Sequence, residues 1–191
     1  MPKSGPNSPP ATVLMSPEAV SEAVRQMARE IVDAHQGADF VLLGILRRGR
    51  PLADRLADAI EEMAGARPPV GSLATTLYRD DIRAGRTPKN VPSGNTHFNF
   101  DVNGANLVLV DDVLYSGRTV RAALDEIMDY GRPARIQLAC LIDRGLRELP
   151  IQADYLGKAI GTRPGDHVSV RLAEMDGEDL VLLEPGTNGE T

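Results

Sequence analysis

Residues 107–119 read Leu-Val-Leu-Val-Asp-Asp-Val-Leu-Tyr-Ser-Gly-Arg-Thr, and this stretch brings together residue types that can do chemistry. Four apolar residues, Leu107 to Val110, predict a buried strand. Asp111 and Asp112 stand at its carboxyl end. Ser116-Gly117-Arg118-Thr119 then opens a helix. A helix start behind Ser and Gly offers free backbone N–H groups and a positive dipole end to an anion. Adjacent carboxylates do not favour a phosphate, so they must face something else. A sugar diol fits, as does a Mg²⁺ held indirectly. Acids for a ribose beside a nest for its 5′-phosphate describe a phosphorylated ribose. As generic chemistry, the same stretch is also an ordinary strand–turn–helix crossing with a solvated acidic pair. Two other phosphate signatures are missing. Gly44 and Gly49 have the gap of a Walker loop, but Arg50-Pro51 follows where Lys-Ser or Lys-Thr is needed, and no Gly-x-Gly-x-x-Gly occurs.

A second candidate loop is Gly44-Ile45-Leu46-Arg47-Arg48-Gly49, between an apolar run and a helix. In a doubly wound sheet such loops gather at the carboxyl ends of the strands, where ligands bind. Arg47 and Arg48 there can meet a pyrophosphate through charge-assisted bonds, or stand as solvated loop arginines.

These loops need a frame, and the chain supplies βα repeats. Ser16-Pro17-Glu18 is a helix start, followed by Val20, Val24, Met27 and Ile31 at helical spacing, with Gly37 as its stop. Phe40 to Leu46 predicts a buried strand and Pro51 to about Met63 a second helix. Val70 to Tyr78 reads as a strand, and Phe98 to Val102 as a short one. Residues 79–95 are charged, rich in Gly and Pro and without period, as in a mobile loop over a site. A helix from about Gly117 to Tyr130 follows the acidic strand, then a strand from Ile136 to Ile142. Tyr155, Val168 to Leu172 and Leu180 to Leu183 predict short strands at the end. The fold class is therefore α/β: a central parallel sheet flanked by helices, with a small β-rich hood. Residues 1–13 read as a disordered tail, 14–185 as one domain, and 186–191 as a C-terminal tail. The hood falls mainly on 143–185.

With 191 residues, 42% hydrophobic and 25% charged, the composition is that of an ordinary soluble globule. No apolar run suits a membrane span or a signal peptide. The lone Cys140, in an apolar run, is expected to be a buried core thiol in a reducing cytoplasm. A net charge of −6 argues against nucleic-acid affinity over the whole surface but leaves room for a local basic patch. Three His and one Cys without ligand spacing make no structural zinc site.

Residues 107–119 match, position by position, the phosphoribosyl pyrophosphate (PRPP) motif of type I phosphoribosyltransferases. Further segments narrow the resemblance: Thr76-Leu77-Tyr78-Arg79-Asp80-Asp81, Gly131-Arg132-Pro133, Asp143-Arg144-Gly145-Leu146-Arg147-Glu148-Leu149-Pro150, Ala153-Asp154-Tyr155-Leu156-Gly157-Lys158 and Asp176-Gly177-Glu178-Asp179. Together they resemble the PyrR family over about Leu14 to Glu184. That resemblance implies a type I phosphoribosyltransferase fold. It also implies a regulator of pyrimidine biosynthesis that binds UMP or UTP and pyr mRNA, and that makes UMP and pyrophosphate from uracil and PRPP with Mg²⁺. A homodimer or larger homo-oligomer is expected.

By the same resemblance Asp111 and Asp112 serve the ribose hydroxyls and the metal, with Arg79 completing the catalytic set. Tyr115, Ser116, Gly117, Arg118 and Thr119 serve PRPP, and Arg47 and Arg48 hold its pyrophosphate. The Arg47–Arg48 bond is the candidate for the family's cis peptide. Asp143 and Arg144 fall to the base, and Arg25, Arg29, Arg144, Arg147, Lys158 and Arg163 to RNA. Arg147→Ala with Arg29→Ala is expected to weaken RNA binding without slowing UMP formation. Tyr115 stands where hypoxanthine-guanine enzymes usually have an Asp for purine N7, which favours a pyrimidine. Leu146 stands where PyrR relatives commonly have His, and Arg29 stands at another His position. Two alternatives stay open: a purine salvage phosphoribosyltransferase, and a UMP-sensing RNA-binding protein with negligible catalysis.

Overall fold

A computed structural model of the chain describes residues 10–75 and 96–186. The elements run β1 (Thr12–Met15), α1 (Pro17–His35), β2 (Val41–Ile45), α2 (Gly49–Ala64), β3 (Val70–Leu73), β4 (Asn106–Leu114), α3 (Arg118–Tyr130), β5 (Arg135–Asp143), β6 (Tyr155–Ala159), β7 (His167–Arg171), α4 (Ala173–Asp176) and β8 (Leu180–Glu184). Five strands make a parallel sheet in the order β3-β2-β4-β5-β6. A separate antiparallel sheet, β1-β8-β7, forms the hood.

The strand period decides which helix covers which face. In β4, Val108 and Val110 pack with α1 and α2, through Met27, Ile31, Leu56 and Ile60. Leu107 and Leu109 point the other way, onto Val120, Ala123 and Ile127 of α3. Both faces are thus dry, as parallel strands require. Val168, Val170 and Val181 of the hood join the α1–α2 core, so the hood is continuous with that layer.

Three differences from the sequence expectations have physical causes. The strand β6 extends the parallel sheet beside β5, and β1 joins β8 in the hood; isolated short strands carry no sign of their partners. Thr12 and Val13, read as tail, already belong to that pairing. Among the described residues Phe98–Val102 is not a strand: only His97 bridges Ser72, while Phe98 stacks on Phe100 with centroids 5.1 Å apart and covers the α3-side core. The first helix ends at His35 with Gln36 in the left-handed region, one residue before the expected Gly37. Tyr78 and the whole of 79–95 lie outside the described residues.

Charges clasp the hood to α2. Arg55 donates to both oxygens of Glu174 at 2.7 and 2.6 Å and to both of Asp179 at 2.9 and 2.7 Å. The Arg55 hydrogen bonds hold both carboxyls below their ordinary range. Carboxyls with lowered folded pKa values stabilise above their unfolded pKa, and that contribution fades as pH falls through the folded values. Acidification below about pH 4 should therefore loosen the hood first. Arg55→Gln is expected to remove about 1–2 kcal/mol near neutral pH, after discounting for the half-exposed Glu174. That corresponds to about 2–8 °C in melting temperature. Melting curves from pH 3 to 7 check this: the difference between wild type and variant should shrink toward pH 3.

Candidate functional site

Parallel strands carry their carboxyl ends to one edge, and there β2 leads into α2 and β4 into α3. The two helix starts at this edge are unlike α1. Ser16 caps α1 by accepting from the Ala19 N–H at 3.3 Å. At α2 the N-cap is Arg48 and at α3 it is Gly117, and neither makes a side-chain cap hydrogen bond. First-turn N–H groups at such starts are left to water or to an anion.

Glycine lets the first of these starts approach the sheet. A Cβ on Gly44 would lie 2.4 Å from the Gly49 carbonyl oxygen, and a Cβ on Gly49 would lie 2.3 Å from that of Val110. Both neighbours are backbone, so there is no room for any side chain. The loop Leu46–Arg48 is thereby pressed onto β4 beside Asp111. The cis peptide in this loop is Leu46–Arg47, one bond ahead of the expected Arg47–Arg48. Arg47 is exposed and makes no side-chain hydrogen bond or ion pair among the described residues. Arg48 instead donates to Asp176 of the hood.

The strand β4 runs on through both acids to Leu114, beyond the expected end at Val110. Asp111 is buried, and its Oδ1 accepts from the Asp112 N–H at 3.0 Å. Asp112 is partly exposed, and its Oδ1 accepts from the Val113 N–H at 3.0 Å. Asp112 can therefore meet a ligand, with Asp111 behind it. Ser116 is buried, its Oγ accepts from the Arg118 N–H at 3.3 Å, and Gly117 takes φ +90°. Those two shape the turn, and Thr119 lies partly exposed in the first turn of α3. Arg118 pairs with Glu148 at 2.6 Å.

The segment after β5 braces this turn, and sequence reasoning missed it. The Glu148 and Leu149 N–H groups donate to the Ser116 carbonyl at 3.0 and 3.1 Å. Leu149 and Ile151 lie against Gly117, with Leu149 Cβ 3.4 Å from where its Cβ would stand. Arg147 is the centre of the brace. It donates to the carbonyls of Ile151 at 2.9 Å, Tyr115 at 2.7 Å, Gly145 at 3.2 Å and Leu114 at 3.4 Å, and to the Asp143 carboxylate. Burial pushes the Asp143 carboxyl up, but the Arg147 guanidinium and the Gly145 N–H outweigh it and hold it below the usual range. Arg144 is buried as well, donating to Thr162 Oγ1 at 3.2 Å and the Asp166 carbonyl at 2.8 Å, and lies 4.2 Å over the Tyr115 ring.

So Asp143, Arg144 and Arg147 form the frame between the two strand ends. Arg144 is thus buried and Arg147 partly buried, with backbone carbonyls and a ring taking up their donors and faces. The Arg147 donors serve the turn after β4, so a substitution there is expected to touch the candidate site as well as any RNA contact. Arg147→Lys should raise the PRPP concentration needed for half-saturation roughly tenfold, since one ammonium cannot serve five acceptors in a fixed fork. A titration of initial rate against PRPP checks it; an unchanged midpoint would remove Arg147 from the brace.

The remaining cations expected to meet RNA, Arg25, Arg29, Lys158 and Arg163, are exposed. Arg25 lies 3.5 Å from Glu22, and Lys158 donates to the Leu14 carbonyl at 2.9 Å. Arg79 is outside the described residues. Cys140 is fully buried beside Asp111 in the sheet; burial pushes its thiol well up, and Asp111, Asp112 and Asp143 push the same way. It is an inert core residue.

Residues 14–174 match the family model described as phosphoribosyl transferase domain. The chain is 51% identical over 171 residues to "Bifunctional protein PyrR" of Pelotomaculum thermopropionicum, covering 89% of this chain and 93% of that one. It is 46% identical over 172 residues to the protein of the same name from Clostridioides difficile, covering 90% and 96%. The chain belongs to the PyrR family. Its fold is that of type I phosphoribosyltransferases. The hypoxanthine phosphoribosyltransferase of Trypanosoma cruzi superposes with a TM-score of 0.69 over 91% of this chain and 97% of that one, at 18% identity, a likeness of fold alone. Among the described residues no helix is long and apolar enough to cross a membrane.

Proposed function

We propose that this PyrR-family chain transfers phosphoribose from PRPP to uracil, giving UMP and pyrophosphate, and that it binds uridine nucleotides and pyr mRNA to regulate pyrimidine synthesis in the cytoplasm. One observation carries the catalytic half. Two helices whose N-cap residues make no side-chain cap hydrogen bond among the described residues open at the same sheet edge, on either side of a carboxylate pair on β4, with Ser116 Oγ taking the Arg118 N–H of the second. Two anion cradles flanking a diol site match a ribose with phosphate at both ends.

In this reading Asp112, backed by Asp111, accepts hydrogen bonds from the ribose 2′ and 3′ hydroxyls. The turn from Tyr115 to Thr119 receives the 5′-phosphate through its N–H groups and the Thr119 hydroxyl. Arg47 and the backbone of its loop receive the diphosphate. The base lies beneath the hood near Tyr115 and Arg144. Uracil N1 bonds to the anomeric carbon as the bond to diphosphate breaks, through an oxocarbenium-like state, and the N1 proton passes to water or to the departing diphosphate. The chain's part is to hold base and ribose in line and to balance the leaving charge. The hard carboxylate oxygens of Asp112, with Asp111 behind it, would suit a Mg²⁺ bound together with PRPP, which would supply charge neutralisation at the diphosphate. Among the described residues no group of three or more His, Cys, Asp or Glu is placed to hold a metal.

The Tyr115 ring under Arg144 supports a pyrimidine, because the position has no acid for a purine N7. The RNA half draws on Arg25, Arg29, Lys158 and Arg163, exposed on α1, β6 and the hood. Filter binding of a pyr leader hairpin with and without UMP tests it. Affinity that rises with UMP and falls on Arg29→Ala supports the regulator. No binding in either state leaves a phosphoribosyltransferase alone.

A further inference from the structure

We propose that Asp176 of the hood is a positioning residue for the loop Leu46–Gly49, setting through Arg48 the shape in which that loop receives the diphosphate of PRPP. The inference rests on the reading above and assigns different work to the two adjacent arginines. Arg48 Nη2 donates to Asp176 Oδ1 at 3.0 Å and Oδ2 at 3.2 Å. The Asp176 carboxylate is itself fixed. Its Oδ2 accepts from the Leu172 N–H at 3.0 Å, and its own N–H donates to the Leu172 carbonyl at 2.7 Å. Gly177 follows at φ +81° and turns the chain away. The same turn is clasped to α2 by Arg55 through Glu174 and Asp179. A carboxylate so held acts as a fixed post.

Arg48 is poorly placed to stand alone. Its Nε is buried without a hydrogen-bond partner among the described residues, so the guanidinium has given up water on one side to reach Asp176. A charge left half-desolvated by loss of its partner moves to find water. The Arg48 backbone is the end of the loop and the N-cap of α2, so that movement passes directly into the anion cradle. Arg47, exposed and without side-chain partners among the described residues, is the arginine that meets the ligand. Arg48 holds the loop.

Equilibrium titration with Mg·PRPP and, separately, with UMP distinguishes this from a general role in stability. UMP has the ribose and 5′-phosphate but no diphosphate. Asp176→Ala should weaken PRPP about tenfold, raise its KM about as much with kcat within about threefold, and leave UMP affinity within about twofold. Arg48→Met should do the same, and the double variant should be no worse than either single. Glu178→Gln, in the same turn but paired with Arg171 at 2.6 Å, is the control and should change neither. Unchanged PRPP affinity in Asp176→Ala overturns the proposal. Equal loss of PRPP and UMP also overturns it, because it shows a structural role. If the wild type binds neither ligand, the phosphoribosyl reading fails first and the inference with it.

Discussion

Gly49→Ala should abolish measurable UMP formation and lower the melting temperature by about 2–12 °C. The added methyl would stand 2.3 Å from the Val110 carbonyl oxygen and 3.2 Å from its carbon, both backbone of the central strand. No rotamer relieves that overlap. Either α2 backs away from β4 by roughly 1 Å, or β4 bends. Overpacking of this kind costs about 1–3 kcal/mol, and each kcal/mol shifts melting by about 2–4 °C at this size. The effect on turnover is larger than the effect on stability. A displacement of about 1 Å at a reacting geometry can cost about 10²-fold, and here both the diphosphate loop and the start of α2 shift against Asp111 and Asp112. Calorimetry and an initial-rate assay on the same preparation check both parts. A variant that melts normally and turns over normally would show that the close approach of loop and strand is irrelevant to function.

Asp112→Asn should lower PRPP affinity by about ten- to hundredfold and leave thermal stability nearly unchanged. Among the described residues the partly exposed Asp112 carboxylate is tied to the fold by accepting from the Val113 N–H, which an Asn Oδ1 can also accept. What Asn loses is charge and acceptor strength toward the ribose hydroxyls, worth about 1.5–3 kcal/mol for hydrogen bonds to a charged group. Asp111→Asn is expected to be less clean, because Asp111 is buried and faces the sheet interior beside Cys140. Isothermal titration with Mg·PRPP reads the difference. Unchanged affinity in Asp112→Asn would sink the ribose assignment.

The two variants probe features that were unequally legible. Residues 107–119 announced strand, acids, turn and helix in sequence order, because each step is a local pattern: apolar run, charge pair, Ser-Gly, helical period. The pair Gly44 and Gly49 was visible as a spacing, but its reason is the passage of α2 across Val110, which no local pattern carries. Arg147 was harder still. By composition it is one cation in a charged loop, and solvent is the default place for such a residue. It is partly buried instead because the turn after β4, more than thirty residues earlier, leaves carbonyls that need donors. Arg48 met its partner 128 positions away in the hood, a pairing invisible without topology. The hood's own composition was misjudged for the same reason, since the short strands β1 and β6 advertise extended chain but not the neighbour they extend beside.

Legibility is therefore uneven across the candidate site. The proposed ribose and 5′-phosphate cradle follows from contiguous sequence. The diphosphate loop follows from sequence plus one close packing contact. The proposed base site and RNA face depend on long-range assembly of the hood, where Arg144 is buried, Arg147 is partly buried and Leu146 stands exposed at φ +59°.

The most direct measurement is UMP formation from uracil and PRPP with Mg²⁺, run beside hypoxanthine, guanine and orotate. Turnover confined to uracil is the predicted result. Turnover with hypoxanthine or guanine and none with uracil would contradict the assignment, and would make Tyr115 over Arg144 compatible with a purine after all.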